Sequence, residues 1–369
     1  MGTFFLWNED ENLAVGGYSR LPENLRRNQV LPLDHSSVLL LPPDKPPEWV
    51  DLKRDALPVS LPELGSSTNV LGWFGTNILC HWNGTNQILV RELRGAEFIP
   101  RGAVTLDSGT RPIGFAYNAT RQLLAWTEGT SSNSAYVAGL AAPGRRIELK
   151  SDVPGLIPVG FSDDGNYLAA LTVGRDSLRV WNIEAGQSAA SIGGFIYAAT
   201  FAAGGRVLVV VIAQGNDHEI GFYDLAHPGQ APRRVPGKHF SQALAVSPNG
   251  ELVASGTGGG QVRFFDPIKG ELIESVDSHL NAITGIAFAA DGRRLISTFG
   301  GRESVKLWDV ITRQELLTLA GIGSSLISSG WSADGDVILA GTPWQVWRAP
   351  SWEEIAAAEA KDKAEGKQP

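Results

Sequence analysis

An aromatic residue closes an apolar segment about every 40 residues in the second half of this chain. The aromatic residues follow one another at steps of 42, 42, 43 and 39 positions: Trp181, Tyr223, Phe265, Trp308 and Trp347. The first four are followed directly by Asn or Asp, as in the segment VKLWDV at 305–310. A constant period of this length indicates a repeat architecture in which every unit contributes the same small element.

A two-residue turn precedes each of these aromatic residues by roughly 16 positions. The turns are Asp164-Gly165, Gly204-Gly205, Asn249-Gly250, Asp291-Gly292 and Asp334-Gly335. Asn-Gly and Asp-Gly supply the positive φ angles of a tight type I′ turn, so each turn predicts a β-hairpin. Residues 282–321 then contain four apolar strands and three turns, which is the content of one β-propeller blade.

The stretch 279–309 resembles a WD40 repeat, and weaker units of the same kind cover roughly residues 65–350. Seven units are counted, with third strands at 89–93, at 136–140 and at the five aromatic segments. The resemblance implies an all-β fold, a seven-bladed β-propeller of four-stranded antiparallel blades. Each blade would then carry strands a to d, and the ring would enclose a central channel.

Many WD40 blades hold an internal network of His, Ser, Asp and Trp side chains. The unit that resembles the family best offers His279, Ser297 and Trp308, but Arg302 stands where Asp is expected. No unit keeps the whole set, so these repeats are divergent. The network residues would be structural in any case, because buried polar groups need hydrogen-bond partners.

The last predicted blade has only three strands, so closure of the ring needs a strand from upstream. Residues 48–54 or 56–62 are the candidates for this closing strand. The predicted domains are therefore an N-terminal extension at 1–47, packed on or linked to the ring, and a propeller at 48–350.

The last segment, 351–369, predicts a short C-terminal α-helix that begins with a capping box of Ser351 and Glu354. This tail resembles the C-termini of WD40 regions in bacterial multidomain signalling proteins.

Composition disfavours several classes of partner. The 369 residues include 31 Lys and Arg against 39 Asp and Glu, so the formal net charge of −8 disfavours nucleic acid or an anionic membrane as the partner.

Cys80 is the single cysteine, which permits no internal disulfide and is compatible with a reducing compartment. The longest apolar run, 207–213, is too short to span a bilayer, and the first 30 residues lack a signal-peptide pattern. We expect a cytoplasmic monomer.

No catalytic or cofactor motif is assembled in the sequence. The G-x-S segments at 160–162 and 330–332 precede hairpins, not the helix of a nucleophile elbow, and the glycine run at 256–261 precedes no helix. The six His residues show no metal-binding spacing. We therefore expect no enzyme, cofactor or metal. The alternative is a propeller-type hydrolase or lactonase with a metal in the channel, built from loop acids: Asp107, Asp217, Glu128 and Glu303.

The resemblance implies a protein- or peptide-binding scaffold that uses the face formed by the d–a and b–c loops. Aromatic residues and Arg dominate binding energy where they are exposed and rigidly held. The candidate binding residues are those predicted on these loops: Trp82, Arg111, Trp126, Arg175, Phe195, Tyr197, His218, Phe240, Arg302 and Trp344. Trp126 is the one expected to point into its blade, because it aligns with Ser297.

Overall fold

The structure is a computed structural model, and it describes most of the chain between residues 3 and 348. The described residues are 3–8, 15–20, 29–34, 37–42, 45–51, 58–74, 77–94, 97–107, 109, 112, 114–129, 131–214, 217–237, 240–299, 305–319, 329–332, 337–340 and 345–348. The predicted C-terminal helix at 351–369 lies outside them.

Strands β1 (Thr3–Asn8) and β2 (Val15–Arg20) come first in the chain and belong to the last sheet. Sheet I contains β3 (Gln29–Asp34), β4 (Ser37–Leu41), β5 (Glu48–Asp51) and β6 (Val59–Ser60). Sheet II contains β7 (Val70–Phe74), β8 (Ile78–Trp82), β9 (Gln87–Arg94) and β10 (Glu97–Thr105). Sheet III contains β11 (Gly114–Asn118), β12 (Leu123–Thr127), β13 (Ser134–Gly139) and β14 (Arg146–Lys150).

The next sheets follow in chain order with the same strand arrangement. Sheet IV contains β15 (Leu156–Phe161), β16 (Tyr167–Thr172), β17 (Ser177–Asn182) and β18 (Gln187–Gly193). Sheet V contains β19 (Phe195–Ala202), β20 (Val207–Gln214), β21 (Asp217–Asp224) and β22 (Arg233–Gly237). Sheet VI contains β23 (Phe240–Val246), β24 (Val253–Thr257), β25 (Gln261–Asp266) and β26 (Glu271–Asp277).

The ring is completed by two further sheets. Sheet VII contains β27 (Ile283–Phe288), β28 (Arg294–Phe299), β29 (Val305–Asp309) and β30 (Glu315–Leu319). Sheet VIII contains β31 (Ser329–Trp331), β32 (Val337–Ala340) and β33 (Gln345–Arg348), followed by β1 and β2.

The predicted all-β propeller is confirmed, and seven of its sheets are four-stranded and antiparallel. The five-stranded sheet VIII is additional, so the described part of the ring holds eight sheets. The seven units counted in the sequence correspond to sheets II–VIII, and sheet I was not recognised as a unit. Strand β5, with the segment EWVD, could have indicated this unit. Its Trp49 lies 42 positions before Arg91, which is in the third strand of sheet II.

Ring closure differs from the sequence prediction. Strand β1 pairs in parallel with β33, with Thr3 opposite Gln345 and Phe5 opposite Trp347. The two predicted closing segments pair elsewhere: Glu48–Asp51 and Val59–Ser60 pair with each other as the outer strands of sheet I. The predicted boundary at residue 47 thus falls between the second and third strands of one sheet.

The hydrophobic core is divided into layers between neighbouring sheets. Trp181 packs between sheets III and IV, Phe265 between V and VI, and Trp308 between VI and VII. Strand a of one sheet lies against strand a of the next at most boundaries, which places these strands nearest the axis. Strand β3 lies against β32, so sheet I joins sheet VIII and the ring has no open face there.

At Asp164-Gly165 and Asn249-Gly250 the hairpin turns form where the sequence predicted them, but their type differs. Gly165 and Gly250 have φ of 69° and 75°, whereas Asp164 and Asn249 do not have positive φ. A type I′ turn needs positive φ at both central positions. Here the amide of Gly165 donates to the carbonyl of Ser162, and the Asp164 carboxylate accepts the Asn166 amide. The turn is therefore stabilised by an Asx-type side-chain contact.

Candidate partner-binding face

The two ends of the blades differ in their loops. The loop face carries the b–c and d–a loops, and the opposite turn face carries the a–b and c–d turns. On the loop face, the boundary between sheets IV and V brings together four of the candidate residues. We call these four residues the aromatic cluster: Arg175, Phe195, Tyr197 and His218.

A β-bulge in strand β19 positions the centre of this cluster. The pairing of β19 with β20 shifts register between Ile196 and Ala198, so Tyr197 is the extra residue. A bulge redirects the side chain of the extra residue away from the regular alternation. The Tyr197 ring lies edge-on to Phe195, with ring centroids 5.1 Å apart, and tilted over His218 at 4.7 Å.

Arg175 is fixed to the same group from the neighbouring sheet. It lies in the b–c turn of sheet IV with a left-handed φ of 56°, and its Nη2 donates to the Tyr197 carbonyl at 2.9 Å. A hydrogen bond from the Thr172 hydroxyl to the Asp176 carboxylate stabilises this turn. A guanidinium and three rings therefore sit on two adjacent sheets as one pre-arranged group.

The cluster presents apolar surface to solvent. Phe195 is 45% exposed, although it is a large apolar side chain. Val173, in the same turn as Arg175, is 53% exposed. Val173 was not among the predicted binding residues, although an apolar residue in a tight b–c turn could have indicated it. Leu280, in the d–a loop before sheet VII, is 86% exposed and was also missed.

Two other candidates belong to the core between sheets II and III. Trp126 is fully buried, and its Nε1 donates to Glu128 Oε1 at 3.0 Å. Its inward orientation is the one its alignment with Ser297 predicted. Trp82 is half-buried at the end of β8, and its Nε1 has no hydrogen-bond partner among the described residues. Both indoles pack against the same apolar layer.

The side chains of the remaining candidates lie outside the described residues. Phe240 begins strand β23, but its side chain lies outside the described residues, as do Arg111, Arg302 and Trp344 entirely.

The loop acids considered for a channel metal are only partly described. Asp107 pairs with Arg146, and Glu128 Oε1 accepts the Asp107 amide at 3.2 Å. Glu303 and the side chain of Asp217 lie outside the described residues. Within the described part of the chain, no three His, Cys, Asp or Glu side chains are grouped so that they could hold a metal ion.

The His-Ser-Trp network of sheet VII is a buried structural contact. Ser297 Oγ accepts the Trp308 indole N–H at 2.9 Å and lies 2.9 Å from His279 Nε2. Ser278 Oγ lies 2.9 Å from the same hydroxyl. All four side chains are buried, although Ser278 and His279 belong to the d–a loop before β27.

Comparison with known families agrees with this architecture. A model of the WD40 family, described as WD domain, G-beta repeat, matches residues 235–266 and 270–309, which span parts of sheets V to VII. The chain is a divergent WD40-repeat propeller. The matched repeats carry the aromatic-Asp strand endings of Phe265 and Trp308.

Several relatives share parts of this WD40 propeller. It is 26% identical over 206 residues to an uncharacterized WD repeat-containing protein of Synechocystis sp., covering 56% of this chain and 53% of the relative. It is 30% identical over 138 residues to autophagy-related protein 16 of Arabidopsis thaliana, covering 36% and 26%. It is 27% identical over 142 residues to small ribosomal subunit protein RACK1 of Caenorhabditis elegans, covering 36% and 43%.

The chain thus spans about half or less of the length of these curated relatives. In the part of the WD40 propeller that the structure describes, no helix has the length and apolar character needed to cross a membrane.

Proposed function

We propose that this propeller is a non-catalytic scaffold that binds a protein or peptide on its loop face. The observation that carries the proposal is the aromatic cluster, in which Phe195 is exposed while Tyr197, His218 and Arg175 hold it in place. Rigid aromatic and Arg side chains lose little conformational entropy on binding and are enriched among residues that dominate interface energy.

The charge of the chain is consistent with a protein partner. A net charge of −8 repels the phosphates of nucleic acids and of anionic membrane surfaces. The similarity to WD repeat proteins supports a scaffold role, and the lone buried Cys80 is compatible with the cytoplasm. We infer that the chain works there as a monomer that presents its loop face to the partner.

A peptide-display experiment tests the loop face. A random peptide library is panned against the immobilised protein, and selected peptides are measured in solution by fluorescence anisotropy. The double variant Arg175→Ala with Phe195→Ala is expected to bind them at least tenfold more weakly, because truncation of one dominant interface residue costs about 2 kcal/mol or more. Its melting temperature should stay close to that of the wild type.

The matched control removes an exposed apolar side chain from the opposite face. Ile311 is 72% exposed in the c–d turn of sheet VII, and Ile311→Ala should leave peptide affinity unchanged. Equal binding by the double variant and the wild type would move the site away from the cluster. Two results would contradict the scaffold function itself: failure to select any peptide that binds saturably, or a stoichiometric divalent ion in the purified protein.

A further inference from the structure

A crevice opens between sheets IV and V on the turn face, at the other end of the strands from the aromatic cluster. Its lining is mixed: the apolar side chains of Phe161, Phe201, Ala169 and Leu208 lie beside the polar side chains of Thr200 and Asp163. Ala169 and Leu208 are buried at its base. The crevice has a volume of about 110 Å³. A cavity of roughly 150 Å³ accommodates benzene, so a slender alkyl chain suits this crevice better than an aromatic ring.

The backbone of β15 creates the open space. The pairing with β16 shifts register between Pro158 and Gly160, and the extra residue Val159 is 41% exposed. A Cβ added at Gly160 would meet no atom within 4 Å. The bulge and the glycine together leave a gap between the two sheets.

Asp163 is the one charged residue among the described residues that line the crevice. Asp163 is exposed to solvent, and its backbone carbonyl accepts the Asn118 Nδ2 at 3.1 Å. The nearby guanidinium of Arg121 donates to the Gly165 carbonyl and to Asn166 Oδ1. Among the described residues, no Lys or Arg forms an ion pair with Asp163. Although the residue as a whole is exposed, partial desolvation of its carboxyl, and next the charge of Asp164, raise the pKa of Asp163, as expected for a carboxylate without a cationic partner.

We propose that this crevice binds a lysine side chain of a partner protein. The four-carbon stem of lysine would lie against Phe161 and Phe201, and its ammonium group would donate to the Asp163 carboxylate. Lysine side chains commonly bury the stem on apolar surface while the charged head meets a polar group. The site is on the turn face, so it is separate from the loop face and its occupancy does not depend on the proposed peptide site.

The test separates the contribution of the lysine charge from that of its alkyl stem. Binding of Nα-acetyl-lysine methylamide to the full chain is measured by NMR titration, beside the norleucine analogue, which keeps the alkyl stem but lacks the charge. Saturable binding of the lysine compound is expected, with affinity at least about tenfold above the norleucine compound, the scale of one charge-assisted hydrogen bond.

Two variants locate the site. Asp163→Asn keeps the size and the backbone contact and should weaken the lysine compound about tenfold. Gly160→Leu should fill the gap and abolish binding without steric conflict at the backbone. Glu184→Gln is the matched control, because Glu184 is an exposed acid in the c–d turn of the same sheet and face, outside the crevice.

Three results would overturn the proposal. They are no saturable binding of the lysine compound, equal affinity for the norleucine compound, and equal weakening by Glu184→Gln and Asp163→Asn. Should Gly160→Leu fail to fold, Asp163→Asn alone decides. None of these results bears on peptide binding at the loop face, which is read out with the Arg175 and Phe195 variant.

Discussion

His81 is a buried histidine whose ring accepts a hydrogen bond from a charged neighbour. It lies in β8 with 2% of its surface exposed, and Arg91 Nε donates to its Nε2 at 3.0 Å. The same guanidinium reaches the carbonyl of Glu63, which follows sheet I, so the contact links two sheets. Burial, and next the charge of Arg91, lower the pKa of His81 from 6.5 to about 4.

This lowered pKa predicts a loss of stability in mild acid. The unfolded chain takes up a proton at His81 near pH 6.5, whereas the folded chain resists it down to about pH 4. The free energy of unfolding therefore keeps its full contribution from neutral His81 above pH 6.5 and loses this contribution as the pH falls to about 4. A shift of this size corresponds to about 3 kcal/mol in the free energy of unfolding.

His81→Gln separates this effect from the carboxylates that titrate in the same range. The glutamine carbonyl still accepts from Arg91 but does not titrate. In urea melts between pH 7 and pH 4, the wild type should lose about 3 kcal/mol more than the variant. Parallel pH profiles for the two proteins would show that His81 is not held neutral by the fold.

At the scale of elements, the closing sheet depends on the strand most distant from it in the sequence. Thr3, Phe4 and Phe5 of β1 pair in parallel with Gln345, Val346 and Trp347 of β33, and β2 pairs antiparallel with β1. Without β1, strand β33 would present unpaired N–H and C=O groups along its whole edge. Such edges promote association with other chains.

Deletion of residues 1–20 is therefore expected to lower the melting temperature and to cause self-association. Light scattering and thermal melts measure both effects. A synthetic peptide of residues 1–20, added in excess, should restore part of the lost melting temperature by pairing with β33, whereas a scrambled peptide should not. A truncated protein that stays monodisperse with an unchanged melt would contradict the closing role of β1.

At the scale of the whole molecule, stability is graded from the inner strands of each sheet to the outer strand. In sheet VI, all five residues of β24 are buried, whereas six of the seven residues of β26 are exposed. The outer strand also pairs on one side only. Local opening therefore costs less free energy at the circumference of the ring than between the strands.

Hydrogen exchange should reproduce this gradient around the ring. Peptides from Val253–Thr257 are expected to exchange slowest, and peptides from Glu271–Asp277 several times faster, when followed by mass spectrometry under native conditions. The corresponding strands of sheet IV, β16 and β18, should show the same order. Uniform protection across all four strands would indicate that the blades open only as whole units.

The candidate site was only partly accessible to sequence reasoning. The resemblance to WD40 repeats led to the loop face, and Arg175, Phe195, Tyr197 and His218 do come together there. Because the binding residues were predicted from residue type alone, they included Trp126, which is buried, and omitted Val173, which is exposed. Exposure depends on how neighbouring sheets pack, and the strand pattern does not carry that information.

The repeating unit can be read from the amino-acid sequence alone, because hairpins and their aromatic endings are local and recur with a fixed period. The tertiary fold established how the ring closes, since Thr3 and Gln345 are paired although almost the whole chain separates them. It also decided the bulges at Val159 and Tyr197, which shape the crevice and the aromatic cluster. A bulge is a mismatch between two strands, so it exists only once those strands have paired.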